Sequence, residues 1–169
     1  PDTLESLRGN LYLSKNPAVR KAAFRGLTEW PGPEVMEDMK HFAARGEDEA
    51  TKVLAFRAYV RMLRDASMPT EDRVSALVEA MRMAPRESEN KIVLAALGQQ
   101  ASAQALTAAV RNLDNESLRA EAQAAITGIC EKLAKQQPGM CRTALNKLLE
   151  SGPSDVLKNR ANELLDELK

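Results

Sequence analysis

The chain has 169 residues, enough to bury about two thirds of its unfolded surface as one domain or one run of small repeats. Aromatic residues make up only 4% of it, and a composition led by Leu, Ala and charged residues favours helix over sheet. Lys plus Arg and Asp plus Glu both number 24, with the balance kept in each half, so bulk charge offers no nucleic-acid footprint, and no apolar run approaches the ~20 residues that span a bilayer.

"TLESLRGNLYL" predicts a short first helix with frayed ends. The next stretch, "NPAVRKAAFRGL", opens a helix for a physical reason. The Asn16 side chain can accept from an orphan backbone N–H, and Pro17 suits the first helical position because it has no N–H to lose. Val19, Ala22, Ala23, Gly26, Leu27 and Trp30 then recur at three- and four-residue steps before Pro31 and Gly32 end the run. The small residues on that stripe let a neighbouring helix come close.

"PGPEVMEDMKHFAARG" supplies a third helix, with Pro33 near its start and Gly46 at its end. "DEATKVLAFRAY" then repeats the second, so that Ala23, Phe24, Arg25 and Leu27 fall on Ala55, Phe56, Arg57 and Tyr59. "PTEDRVSALVEAMRMAP" follows, with Thr70 as the expected cap and Pro85 as the stop. The remaining helices are read in "ESENKIVLAALG", "SAQALTAAVRNLD", "NESLRAEAQAAI", "PGMCRTALNKLLESGP" and "SDVLKNRANELL".

Every second helix carries a basic residue four positions after a polar or acidic one. These anchors are Arg20, Lys52, Lys91, Arg119 and Lys158, and their mean interval of roughly 34 residues lies in the range of helical repeats. A helix pair of this size cannot bury its apolar stripe alone, whereas stacked pairs share one continuous core. The expectation is an all-α fold over 1–169, an α-α superhelix of about five antiparallel helix pairs. The start at Pro1 reads as a piece of a longer polypeptide, and no signal segment opens the chain.

The polar cap, Val-Arg or Leu-Arg, then Ala-Ala and Leu or Ile in "NPAVRKAAFRGL" and "NESLRAEAQAAI" resembles the second helix of HEAT repeats, including the HEAT-like repeats first described in phycobilin lyases. The resemblance runs along the whole chain. Tetratricopeptide repeats share the mean period, but their Trp-Leu-Gly-Tyr pattern has no match here. The resemblance implies that the basic anchors bond turn carbonyls or acids of the adjacent repeat. "AAFRGLTEWPGPE" followed by "KVLAFRAYVRML" is also similar to helical segments of large exported bacterial proteins, where they adjoin sugar-binding, glycoside-hydrolase-like or haem-binding modules. That likeness implies a periplasmic or secreted accessory role.

Residues able to carry chemistry are few. His41 is the only histidine, which rules out a two-His metal site or a His-based triad with spare parts. Cys130 and Cys141 lie on apolar stripes of consecutive helices; they read as small buried hydrophobes or as a disulfide across the turn at Pro138-Gly139. The acidic groups at 34–39, 46–50 and 164–168 lack the ordering of a calcium loop and read as solvated faces or helix N-terminal charge. No glycine-rich phosphate loop is present. Trp30 and Tyr59 are candidates for partner contact, with core packing as the plainer role.

Arg57, Arg61 and Arg64 share one helical face, and Arg25 is the repeat equivalent of Arg57. These four arginines form the candidate partner-binding patch. The expected function is a non-enzymatic interaction or scaffold module, without cofactor or metal, that holds a protein partner or an adjacent domain of the same chain. Two alternatives stand beside it: an accessory domain of a carbohydrate-active or other exported enzyme, and a nucleic-acid or phosphate binder that uses the arginine stripe.

Overall fold

The computed structural model describes residues 3–168, and among them every regular element is helical. The helices group into two compact units, Pro1–Ala66 and Ser67–Lys169. The first unit holds α1 (Thr3–Leu13), α2 (Pro17–Thr28), a 3-10 turn at Pro33–Val35, α3 (Met36–Arg45) and α4 (Glu49–Asp65). The second holds α5 (Thr70–Met83), a 3-10 turn at Glu87–Glu89, α6 (Asn90–Leu97), α7 (Ala103–Val110), α8 (Arg119–Leu133), α9 (Pro138–Glu150) and α10 (Asp155–Glu167). None of these helices is long and apolar enough to cross a membrane.

In the first unit α1 packs on α2 and α3 on α4, and α2 also touches α4. Leu27, Val35, Met39 and Phe56 are sealed from solvent, and Tyr59 is buried with them, so its role is packing. In the second unit α5 pairs with α6, α7 with α8 and α9 with α10. The odd helices α5, α7 and α9 touch in succession, and so do the even helices α6, α8 and α10. Two layers result. Leu77 and Leu106 from the odd layer, and Leu97, Ile126 and Ile129 from the even layer, are fully buried.

The bonds at the helix starts follow the local sequence. Asn16 Oδ1 accepts from the Ala18 N–H at 2.9 Å, and Asp48 Oδ1 accepts from the Thr51 N–H at 2.6 Å, each satisfying an orphan donor of the helix it begins. Thr70 departs from expectation. It is the first helical residue of α5, Pro69 takes the cap position, and no side chain closes that end. The reason is that Pro69 already stands in extended backbone with its own N–H removed, so the helix begins one residue earlier than a Thr70 cap would place it. Asn115 also differs from Asn16 in place but not in chemistry. Its Oδ1 accepts from the Ser117 N–H at 3.0 Å to close a turn, and α8 itself starts at Arg119.

Two of the five basic anchors make one and the same bond. The Arg20 guanidinium donates to the Ser14 carbonyl at 3.1 Å and that of Arg119 to the Leu113 carbonyl at 2.9 Å, in both cases a residue six positions back in the preceding turn. Lys91 instead pairs with Glu121 on α8, 3.1 Å away. Lys52 is half-buried and Lys158 exposed.

A second recurring bond ties even helices together. Arg61 on α4 donates to the Thr28 and Trp30 carbonyls at the end of α2, at 3.1 and 2.8 Å. Lys132 on α8 donates to the Gly98 carbonyl at the end of α6, at 3.2 Å. In each case a cation meets the negative end of a helix dipole, where carbonyls lack intrahelical partners.

Candidate functional site

An open groove of about 710 Å³ lies within the first unit. Its walls come from the end of α1, the first turns of α2, the last turns of α3 and the start of α4. Three features of the sequence place its side chains. The Asn16 cap and Pro17 start α2 so that Arg20, Lys21, Phe24 and Arg25 face the groove, and Asp48 starts α4 so that Thr51 and Leu54 line the opposite side. The third is a network under Tyr12.

The Tyr12 hydroxyl donates to Asp38 Oδ1 at 2.8 Å, while Arg8 holds Asp38 Oδ2 through Nε at 3.0 Å and through its terminal nitrogen at 2.8 Å. Arg8 is fixed in turn by donating to the Glu34 carbonyl at 2.6 Å. The Tyr12 ring stacks on Phe42 with centroids 6.1 Å apart, and Phe24 meets Phe42 edge-on at 5.3 Å. An aromatic shelf is therefore held at both ends, by ring packing and by a charge-assisted hydrogen bond. Burial pushes the Tyr12 phenol up to about 12, with the hydrogen bond to Asp38 and the Asp38 charge acting in the same direction and Arg8 opposing them.

Despite this anchoring Tyr12 remains 52% exposed, and Leu54 across the groove is 43% exposed. His41 is exposed at the rim with its ring edge-on to Phe42 at 5.6 Å. Lys21 and Arg25 are exposed cations on the α2 wall, and Glu47 and Asp48 are acids at the α3–α4 corner. The Thr51 N–H, which Asp48 caps, holds that carboxyl below its usual range, with a smaller contribution from Lys21. Among the described residues neither the Arg25 nor the Lys21 side chain makes a hydrogen bond or ion pair, so both are cations of this groove that can meet an incoming anion, and Arg25 offers the planar fork that matches a carboxylate.

The four arginines read as one patch have different surroundings. Arg25 lines the groove, Arg57 and Arg64 are exposed on α4, and Arg61 is half-buried and engaged by the α2 carbonyls. Trp30 is half-buried and donates through Nε1 to Glu34 Oε2 at 3.0 Å. Cys130 and Cys141 are free thiols sealed in the second unit. Among the described residues no group of three or more His, Cys, Asp and Glu side chains is placed to hold a metal ion.

Tyr12, Phe42 and Lys21 were not singled out by sequence. The one signal available was an aromatic at the polar end of a short helix, and nothing local joins Tyr12 to Phe42. Rings, cations and an aliphatic rim in one groove can bind and orient a side chain. No family model matches the chain, and no curated protein and no solved structure shows significant similarity to it.

Proposed function

We propose that the chain is a non-enzymatic, HEAT-like interaction module of five antiparallel helix pairs, two in the first unit and three in the second. Each unit would stack its pairs as an α-solenoid does. Two recurrences support that reading: the Arg20 and Arg119 bonds to carbonyls six residues back, and the Arg61 and Lys132 bonds to the end of the preceding even helix. The successive contacts within each layer of the second unit point the same way.

The groove of the first unit is the docking surface, and its occupant is a segment of a protein partner or of a neighbouring domain. The observation that carries this is the exposed Tyr12 ring, fixed by Asp38 and Phe42 next to Arg25. A rigid aromatic loses little entropy when covered, and an unengaged guanidinium selects a carboxylate. The segment that fits therefore presents an apolar or aromatic side chain to the shelf and an acid to Arg25. The arginine stripe favours nucleic acid less, because Arg61 is engaged within the fold.

Selection of a random peptide library on the full chain tests the reading. Enrichment of sequences that combine an aromatic and a carboxylate is expected, with binding weakened about tenfold or more by Tyr12→Ala or Arg25→Glu and unchanged by Arg64→Ala. Absence of enrichment, or binding indifferent to Tyr12 and Arg25, would overturn it.

A further inference from the structure

The second unit holds a pair of nucleophilic side chains that the groove does not use. Cys130 stands in the last turn of α8 and Cys141 in the first turn of α9, on the two arms of one helical hairpin. Both are fully buried. The Cys130 thiol donates to the Cys141 carbonyl oxygen at 3.9 Å, so the sulfur of one cysteine lies against the backbone of the other. The two cysteines thus face each other across the hairpin turn, eleven positions apart in sequence.

The hairpin has a weak end that such a pair would secure. α9 begins at Pro138 with Gln137 at its cap, and no side chain closes that terminus. Gln137, Pro138, Gly139 and Met140 are all exposed, and nothing lies within 4 Å of the place a Gly139 side chain would take. By contrast α8 touches α6, α7, α9 and α10. A covalent link from Cys130 to Cys141 ties a helix start without a side-chain cap to a helix packed on four others.

We infer that Cys130 and Cys141 are a modification site, a dithiol that closes to an intramolecular disulfide by exchange with a disulfide of the R–S–S–R class. Fraying of the first turn of α9 exposes Cys141. Its thiolate attacks one sulfur of R–S–S–R, forming a mixed disulfide and releasing the first R–S⁻. The Cys130 thiolate then attacks the Cys141 sulfur, forming the Cys130–Cys141 bond and releasing the second R–S⁻. The two cysteine protons end on the two released thiols, so the protein loses two electrons and R–S–S–R gains them. Burial raises both thiols, which makes exchange slow in the closed protein and confines it to the frayed hairpin or to folding.

The test uses the full chain and oxidised glutathione. One sample is treated in the native state and a second is refolded from denaturant in the same buffer. Both are then alkylated, and intact mass and peptide mapping are read. A product lighter by two hydrogens, protected from alkylation and giving a linked peptide pair containing Cys130 and Cys141, is expected in the refolded sample at least, with a higher thermal midpoint than the reduced chain. Cys130→Ala should leave a stable glutathione adduct on Cys141 in place of that product. Two alkylated cysteines in both samples, persistent glutathione adducts on the unaltered chain, or disulfide-linked dimers would each overturn the inference.

Discussion

The Gly98 carbonyl oxygen lies 2.8 Å from the point a Cβ on Gly128 would occupy, so α6 and α8 approach as closely as two helices can only where a side chain is missing. A Cβ on Gly98 would in turn stand 3.0 Å from the Ala125 Cα. The same carbonyl accepts from Lys132, whose Nζ also reaches the Gly128 carbonyl at 3.3 Å. Close packing and the cation between the helices are one device.

Gly128→Ala is therefore expected to destabilise the chain by ~1–3 kcal/mol, since the clash is with backbone and can be relieved only by moving a helix. Gly139→Ala is the matched control: its Cβ meets open space within the start of α9, and it should be neutral or slightly stabilising. Thermal melts of the two variants beside the parent chain check the contrast, and equal effects would contradict it.

Arg61 and Arg64 share a helix and a charge but differ in what they touch. Replacing Arg61 with Met removes the bonds to Thr28 and Trp30 and is expected to cost about 1–2 kcal/mol, while Arg64→Ala should stay within ~0.5 kcal/mol of the parent. Urea unfolding measures both. A loss at Arg64 as large as that at Arg61 would mean that the stripe acts as one unit.

The Tyr12 phenol offers a pH signature. Its ordinary value is 10.0 and in the fold it is pushed up to about 12, so the neutral form is favoured by folding. The stability this contributes is fully present below pH 10 and is lost as pH rises through about 12. Phenolate absorbance should show one tyrosine ionising late in the titration. Asp38→Asn should bring that tyrosine only part of the way back toward 10.0, because burial, the larger cause, remains.

Asn16 and Asn115 close equivalent turns with their side-chain oxygens. Asn16→Ala should cost about 1 kcal/mol by leaving the Ala18 N–H at the start of α2 without its acceptor, and an Asn16→Ser exchange should recover most of it. Denaturant midpoints for the pair of variants check this, and an Ala variant as stable as the parent would show that water replaces the cap.

Most of the helical content was legible in sequence because its causes are local. The apolar stripe from Val19 to Trp30, the cap at Asn16 and the breakers at Pro31 and Gly32 act over three or four residues, the distance over which helix geometry is decided. The same locality made the polar-to-basic spacing visible at Asn16 and Arg20 and again at Asn115 and Arg119. Thr70 was misplaced by one residue because a Pro before it decides the cap.

What only tertiary structure decided is which of these side chains remain available. Arg25 and Arg57 fall on each other when the two Ala-Phe-Arg stretches are aligned in sequence, yet of the two only Arg25 lines the groove, and Arg61 on the α4 stripe is taken by carbonyls of α2. The shelf joins Tyr12 of α1 to Phe42 of α3, and Asp38 aligns it from below. The meeting of Cys130 with Cys141 depends likewise on how α9 folds back along α8. Periodicity states that a residue faces a neighbour; the identity of that neighbour, and whether it consumes the residue's last donor, is settled by packing between helices that the chain places far apart in sequence.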